Sequence, residues 1–139
     1  MGKETKIVAI SKNHPLEDVE KAISFGLETF GENRVQEAKS KFENIKDINH
    51  KIKLHLTGPL QSNKVNNALA LFDVFHTLDR EKLLKELSKY PQIINNKSFF
   101  VQVNTGKENT KSGIFPEDTK NFLELCKVYG VNNIEGLMC

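Results

Sequence analysis

Lys12 closes the apolar run Ile7-Val8-Ala9-Ile10-Ser11, and a primary amine at the tip of such a strand is a candidate nucleophile. Held in an apolar wall, an amine sheds its proton more readily than in water and then adds to an aldehyde. The plain alternative is a strand that ends with its lysine in solvent, where most lysines reside. Other polar residues fall at equivalent places: Gly31-Glu32-Asn33, His55 with Gly58, His76 with Asp79, and Asn104. Convergence of such groups on one rim is what a small-molecule site requires. Taken singly, each has an ordinary role. Asn33 and Asp79 suit helix N-caps, and His55 inside a strand suits a satisfied core position.

His55 and His76 stand on successive strands, as two zinc ligands would, but no third ligand lies at suitable spacing and no metal is expected. The stretch from Thr57 to Lys64, TGPLQSNK, reads as a strand–turn–helix junction whose free N–H groups could hold an anion. A tight turn with Ser62 or Asn63 near a helix start explains it as well. Thr105-Gly106-Lys107 fails the phosphate-loop pattern, because Val101 occupies the first glycine position and Glu108 follows the lysine. Lys111-Ser112-Gly113 reads instead as a turn into a helix at Pro116, with Lys111 folded back toward the rim.

Positioning these residues falls to β-rich runs at Ile7–Ser11, Thr29–Gly31, Lys53–Thr57, Val74–Thr77, Phe99–Val103 and Ile134–Met138. Helical periodicity fills the gaps. Leu16, Val19, Ala22 and Ile23 share one face, with Pro15 in a first turn, and Val35, Ala38, Phe42 and Ile45 share the next. Leu69 with Phe72, then Leu83, Leu84 and Leu87, then Phe122, Leu123, Leu125 and Cys126 continue the pattern. Gly130 is placed to stop the last helix, and Ile94–Ser98 reads as a surface loop. Tyr90 and Tyr129 fall on helices as packing residues. Alternating strands and helices imply right-handed crossovers and a parallel sheet. About six strands and five helices in 139 residues fall short of the ~250 typical of an eight-stranded barrel. A doubly wound sheet fits the length better, yet no glycine-rich phosphate loop follows the first strand. On the residues alone, both architectures stay open.

The chain fits a single domain, 1–139. Twenty basic residues face 18 acidic ones, so no strong field points to nucleic acid or a membrane surface. No apolar run approaches the ~20 residues of a spanning helix. The start, Met1-Gly2-Lys3-Glu4, has no apolar signal core, and Lys6 spoils a myristoylation signal at Gly2. Two cysteines, Cys126 and Cys139, make neither a disulfide framework nor a metal motif. A reduced, cytoplasmic protein is the expected class.

Five segments in order carry a resemblance: VAISK at 8–12, FGENRVQE at 30–37, HLTGPLQSNK at 55–64, Val103-Asn104 with Glu108 and Lys111-Ser112-Gly113, and Gly136-Leu137-Met138. Together they resemble the pyridoxal 5′-phosphate homeostasis proteins. The resemblance implies a (β/α) barrel of the alanine racemase N-terminal-domain type, incomplete here. It implies that Lys12 matches the lysine forming the aldimine with pyridoxal 5′-phosphate, and that Asn33 and His55 match positions lining the cofactor ring. It further implies storage or delivery of the cofactor without turnover. The last two strand–helix units of that barrel, with their phosphate-gripping loops and the arginine near the pyridine nitrogen, have no counterpart here. Two alternatives accompany this reading. One is a racemase-like enzyme, which would need a second acid–base group. The other is an incomplete barrel with weak or no cofactor binding that self-associates or takes a partner.

Overall fold

The structure, a computed structural model, describes residues 5–139; the readings on Gly2 and the N-terminal start fall on 1–4, outside those described. Six strands form one sheet: β1 (Ala9–Ile10), β2 (Thr29–Glu32), β3 (Lys53–Leu56), β4 (Val74–Leu78), β5 (Ser98–Gln102) and β6 (Ile134–Met138). All neighbours are parallel. Their spatial order is their sequence order, β1-β2-β3-β4-β5-β6. That order decides between the two architectures. A doubly wound sheet reverses direction at a switch point, whereas successive right-handed crossovers in one direction put every helix on one side and curl the sheet toward a barrel. Among the described residues β1 and β6 are not paired, so the barrel is open between them.

The strands show this sidedness directly. Leu54 and Leu56, Phe75, and Phe99 with Val101 point into the helical layer and are buried, while His55, His76 and Phe100 alternate onto the inner, partly open face. The helical layer comprises α1 (Leu16–Ser24), α2 (Val35–Ile48), α3 (Val65–Leu71), α4 (Glu81–Leu87), α5 (Pro91–Ile94) and α6 (Thr119–Val128). Short 3₁₀ turns at Ser62–Lys64 and Pro116–Asp118 lead into α3 and α6. An aromatic contact ties the layers together, Phe30 on β2 to Phe42 on α2 at 5.4 Å between ring centres, and within the sheet Phe75 on β4 stacks on Phe99 of β5 at the same distance. Gly130 ends α6 as expected. With φ +76° it lets its own N–H reach Lys127 O and that of Val131 reach Cys126 O, at 3.0 and 2.9 Å.

Four expectations need correction. The helices number six, not five, because the turn at Pro91–Ile94 is helical and shortens the expected loop; four residues carry too little periodicity to announce a helix. The first strand is two residues long, with Ile7 and Ile10 exposed, because it pairs with β2 on one side only. Neither Asn33 nor Asp79 caps a helix: Arg34 and Arg80 hold those positions, and neither cap uses a side chain. Tyr90 and Tyr129 lie at helix boundaries, not within helices, and the Tyr129 hydroxyl donates to Glu81 Oε1 at 2.8 Å.

Candidate functional site

Register aligns the candidate residues along one edge. Ile10 on β1 stands beside Gly31 on β2, and Gly31 beside His55 on β3. Asn33 and Thr57 follow Gly31 and His55 by two residues, at the C-terminal rim of the sheet, and Lys12 lies in the turn that follows β1. Gly31 belongs to that face: a Cβ there would lie 2.5 Å from Ile10 Cδ1 and 3.5 Å from Thr57 Cγ2.

Asn33 is held from two directions. Its Oδ1 accepts the Thr57 hydroxyl at 2.9 Å. Its backbone touches the loop after β3 so closely that a Cβ on Gly58 would sit 2.2 Å from Asn33 O and 2.7 Å from its Cα. Only glycine allows that approach. The loop is fixed in turn from β4, where Thr77 Oγ1 donates to Gly58 O at 2.8 Å. Beyond it, the Arg80 guanidinium donates to Leu60 O and to Asp79 Oδ1.

Lys12 sits in a turn. His14 N–H donates to Ser11 O at 3.1 Å, leaving Lys12 and Asn13 at the two central positions. Asn13 has φ +63°, a left-handed conformation that asparagine adopts more readily than most residues. The Lys12 side chain is exposed, in solvent as the plain alternative has it and not in an apolar wall, because the strand that delivers it is itself edge-exposed, and it forms no hydrogen bond or ion pair among the described residues. Beneath the turn lies a buried ionic cluster. Lys41 Nζ, on α2, donates to Ser11 O at 2.7 Å, Glu32 Oε1 at 2.9 Å and Glu37 Oε1 at 2.8 Å. Ser11 Oγ donates to the same Glu32 oxygen at 2.7 Å, and Asn13 N–H to Glu37 Oε1 at 2.7 Å. Burial opposes charge on Lys41, but its hydrogen bonds to Glu37 and Glu32 prevail and hold its pKa above the ordinary lysine value. The Lys41 hydrogen bond, then that of Asn13 N–H, holds the Glu37 carboxyl below its usual value.

The two histidines meet. His55 Nδ1 lies 2.8 Å from His76 Nε2, so in the neutral pair one ring donates and the other accepts. The His76 ring stacks on Phe100 at 4.7 Å between ring centres, tilted by 11°. Burial, then the neighbouring His76, pushes the His55 pKa down to about 4, and burial lowers that of His76. At neutral pH both rings are uncharged. Among the described residues no three His, Cys, Asp or Glu side chains gather as a metal site.

The remaining rim residues divide between structure and cavity walls. Asn104 does not face a ligand space freely: its Nδ2 donates to Glu108 O at 2.9 Å and its Oδ1 accepts Glu108 N–H at 3.2 Å, shaping the loop after β5. That loop borders a cavity of about 360 Å³, walled also by Thr57, Thr77, Gln102 and Lys111. Lys111 pairs with Glu108 Oε1 at 2.7 Å. A second cavity, about 500 Å³, lies between Asn33, Arg34 and Gln36 on one side and Pro59, Gln61 and Lys64 on the other. The cluster of Lys41, Glu32 and Glu37 escaped the sequence reading, although a signal existed. Lys41 falls in the stripe of Ala38, Phe42 and Ile45, three residues after Ala38 and four after Glu37. A lysine in a core stripe implies a buried partner.

Residues 1–139 match the family described as alanine racemase, N-terminal domain. The pyridoxal phosphate homeostasis protein of Pasteurella multocida is 37% identical over 123 residues, covering 88% of this chain and 52% of the relative. That of Buchnera aphidicola is 36% identical over 140 residues, covering 98% and 59%. The chain thus spans between half and three-fifths of the length of these relatives. PipY of Synechococcus elongatus, solved with PLP bound, superposes with a TM-score of 0.77 at 32% identity, over 96% of this chain and 61% of that one. Alanine racemase from Acinetobacter baumannii superposes at 0.66 with 19% identity, over 91% of this chain and 37% of that one, a likeness of fold alone.

Proposed function

This chain belongs to the alanine racemase N-terminal domain family, and from that premise we propose that it binds pyridoxal 5′-phosphate through Lys12 in cofactor homeostasis, without turnover. Residues 1–139 act in this reading as one partial barrel. The observation that carries it is Lys12 itself: an exposed amine without a carboxylate partner among the described residues, on a turn whose flanking peptide groups are held from behind. The donor set fits the cofactor. Asn33 offers an amide at the rim, held by Thr57, and the uncharged His55–His76 pair offers imidazole rings on the inner face of the sheet against which an aromatic ring could lie. When bound, the cofactor would supply an aldehyde carbon to a primary amine. Lys12 would hold it, and Asn33 and His55 would orient its ring.

The relatives are named for pyridoxal phosphate homeostasis, and their names describe no enzyme. Racemase-like turnover would need a second acid–base group across the ring. Tyr129 is spent on Glu81, and half-buried Tyr90 packs against the core. No helix among the described residues is long and apolar enough to cross a membrane, and the balanced charge supports a small-molecule partner over nucleic acid. The test is borohydride fixation after mixing with pyridoxal phosphate, followed by peptide mapping. Label on Lys12, abolished in Lys12→Ala, is expected; label spread equally over other lysines overturns the reading. A second reading, self-association through the sheet edges, is favoured by exposed Ile10 on β1 and Leu137 on β6. Sedimentation showing one concentration-independent monomer would dismiss it.

A further inference from the structure

We propose that Lys41 and Glu37 are positioning residues for Lys12, setting the backbone turn that aims its amine. The inference rests on the reading of Lys12 as the cofactor lysine. Lys12 belongs to two peptide groups, and each is gripped by one member of the cluster. The carbonyl of Ser11, on its N-terminal side, accepts from Lys41 Nζ at 2.7 Å. The N–H of Asn13, on its C-terminal side, donates to Glu37 Oε1 at 2.7 Å. Lys41 and Glu37 also bind each other at 2.8 Å, so both grips close into a single ring through one ion pair. The anchor beneath is rigid. Glu32 is fully buried, accepts from both Lys41 Nζ and Ser11 Oγ, and leaves its Oε2 without a protein partner.

Such an arrangement is an expensive way to hold a turn. A buried ion pair rarely outperforms apolar packing of the same volume, and the hydrophobic core beside it is built from aliphatic and aromatic side chains, leucine and phenylalanine foremost. What directional, charge-assisted hydrogen bonds add is orientation. Here they fix the two peptide planes on either side of Lys12, including the left-handed Asn13. With both planes fixed, the direction of the Lys12 Cα–Cβ bond is fixed, and the amine searches a smaller volume before it meets its target.

The test separates aim from stability. Wild type, Glu37→Ala, Glu37→Gln and Lys41→Met are compared for borohydride-fixed pyridoxal phosphate on Lys12 across cofactor concentrations, for thermal unfolding, and for amide exchange at Asn13. Glu37 is partly exposed, so Glu37→Ala keeps the fold even where Lys41→Met does not. In Glu37→Ala, which removes the acceptor of both Asn13 N–H and Lys41 Nζ, labelling of Lys12 should need about tenfold more cofactor, as the loss of the charge-assisted bond to Asn13 alone allows, while Asn13 exchange quickens. Glu37→Gln, which keeps an acceptor oxygen, should recover most of the labelling. Unchanged labelling in Glu37→Ala, alongside quickened Asn13 exchange, overturns the proposal. If wild type fails to label at Lys12, the cofactor reading falls. Positioning is then judged by reductive methylation of Lys12 with formaldehyde: a rate changed by at least about threefold in Glu37→Ala supports it, and an unchanged rate overturns it.

Discussion

Strands β1 to β3 and strands β4 to β6 share one sheet, yet the space behind them is filled differently. Behind β4 and β5, Phe75, Leu78, Phe99 and Val101 enter the helical layer, each 3% exposed or less. Near the rim behind β1 and β2, the same layer holds Ser11, Glu32 and Lys41. Apolar packing is non-directional and holds elements together without fixing the angle of any one peptide group. Hydrogen bonds to charged groups do fix it. The turn that presents Lys12 is thus held from beneath by directional, charge-assisted bonds, whereas the layer directly behind β4 and β5 is apolar.

The largest test of that contrast pairs Lys41→Met with Phe75→Ala. Each should cost about 3–5 kcal/mol in denaturant unfolding, the first by stranding buried carboxylate, the second by opening a cavity. They should differ in what rescues them. Adding Glu32→Gln to Lys41→Met removes the stranded charge and should recover a measurable part of the loss. If the double variant instead equals the sum of the singles to within about 0.5 kcal/mol, the ionic account of the first half is broken.

A second pair sits on glycines. Gly58→Ala drives a methyl into the Asn33 backbone, 2.2 Å from its carbonyl oxygen, and neither loop can yield alone. The expected cost is about 1–3 kcal/mol, with weakened labelling of Lys12 because Asn33 must move. Gly106→Ala, in the other half, meets only the end of the Glu108 side chain at 3.1 Å. It should change stability by less than about 0.5 kcal/mol. Equal costs in urea would erase the distinction between the wedged position at Gly58 and the open one at Gly106.

How far the sequence foretold this arrangement follows the same division. Runs of β-branched and aromatic residues located all six strands, and the Ala38, Phe42 and Ile45 stripe located α2, because burial against a layer imposes a period. Gly130 announced its helix end through backbone sterics alone. The sheet order was not legible, since strand–helix alternation is common to open and closed parallel folds; pairing partners are set by long-range contacts. Lys12 and Asn33 were found as strand-end residues, but the N-cap role given to Asn33 failed because Thr57, 24 residues away, claims its side chain. Lys41 was overlooked for a similar reason. Its partners Ser11, just past β1, and Glu32, at the end of β2, lie outside its helix, and nothing local to α2 reveals them except a lysine where an apolar residue was due.

Acid should act on the junction between the halves before it reaches the cluster. His55 titrates near 4 in the folded chain against 6.5 ordinarily. Across that window the unfolded chain binds the proton and the folded chain does not, so stability falls as pH drops from 6.5 toward 4. Allowing for partial exposure and for sharing with His76, the loss should be about 1–2 kcal/mol. Glu37, held below its ordinary 4.5, keeps its contribution until the pH falls beneath that value. Urea midpoints measured at pH 7, 6, 5 and 4.5 should therefore decline in wild type and flatten in His55→Gln. A His55→Gln profile as steep as wild type would place the acid sensitivity elsewhere.

The smallest effect is the most specific to the rim. Thr57→Val keeps the shape of the side chain and removes the hydroxyl that donates to Asn33 Oδ1 at 2.9 Å and to Glu32 O at 3.3 Å. Because the Asn33 amide can recover water at a partly open edge, the stability cost should stay at about 1 kcal/mol or less. Orientation should suffer more than stability. Freed from Thr57, the Asn33 amide swings while its backbone remains wedged against Gly58, so the variant isolates side-chain aim from loop position. Labelling of Lys12 by pyridoxal phosphate should then need a few-fold more cofactor, with the unfolding midpoint nearly unmoved. Should the midpoint fall and the labelling hold, Thr57 serves the fold alone, and the rim is less finely set than its hydrogen bonds imply.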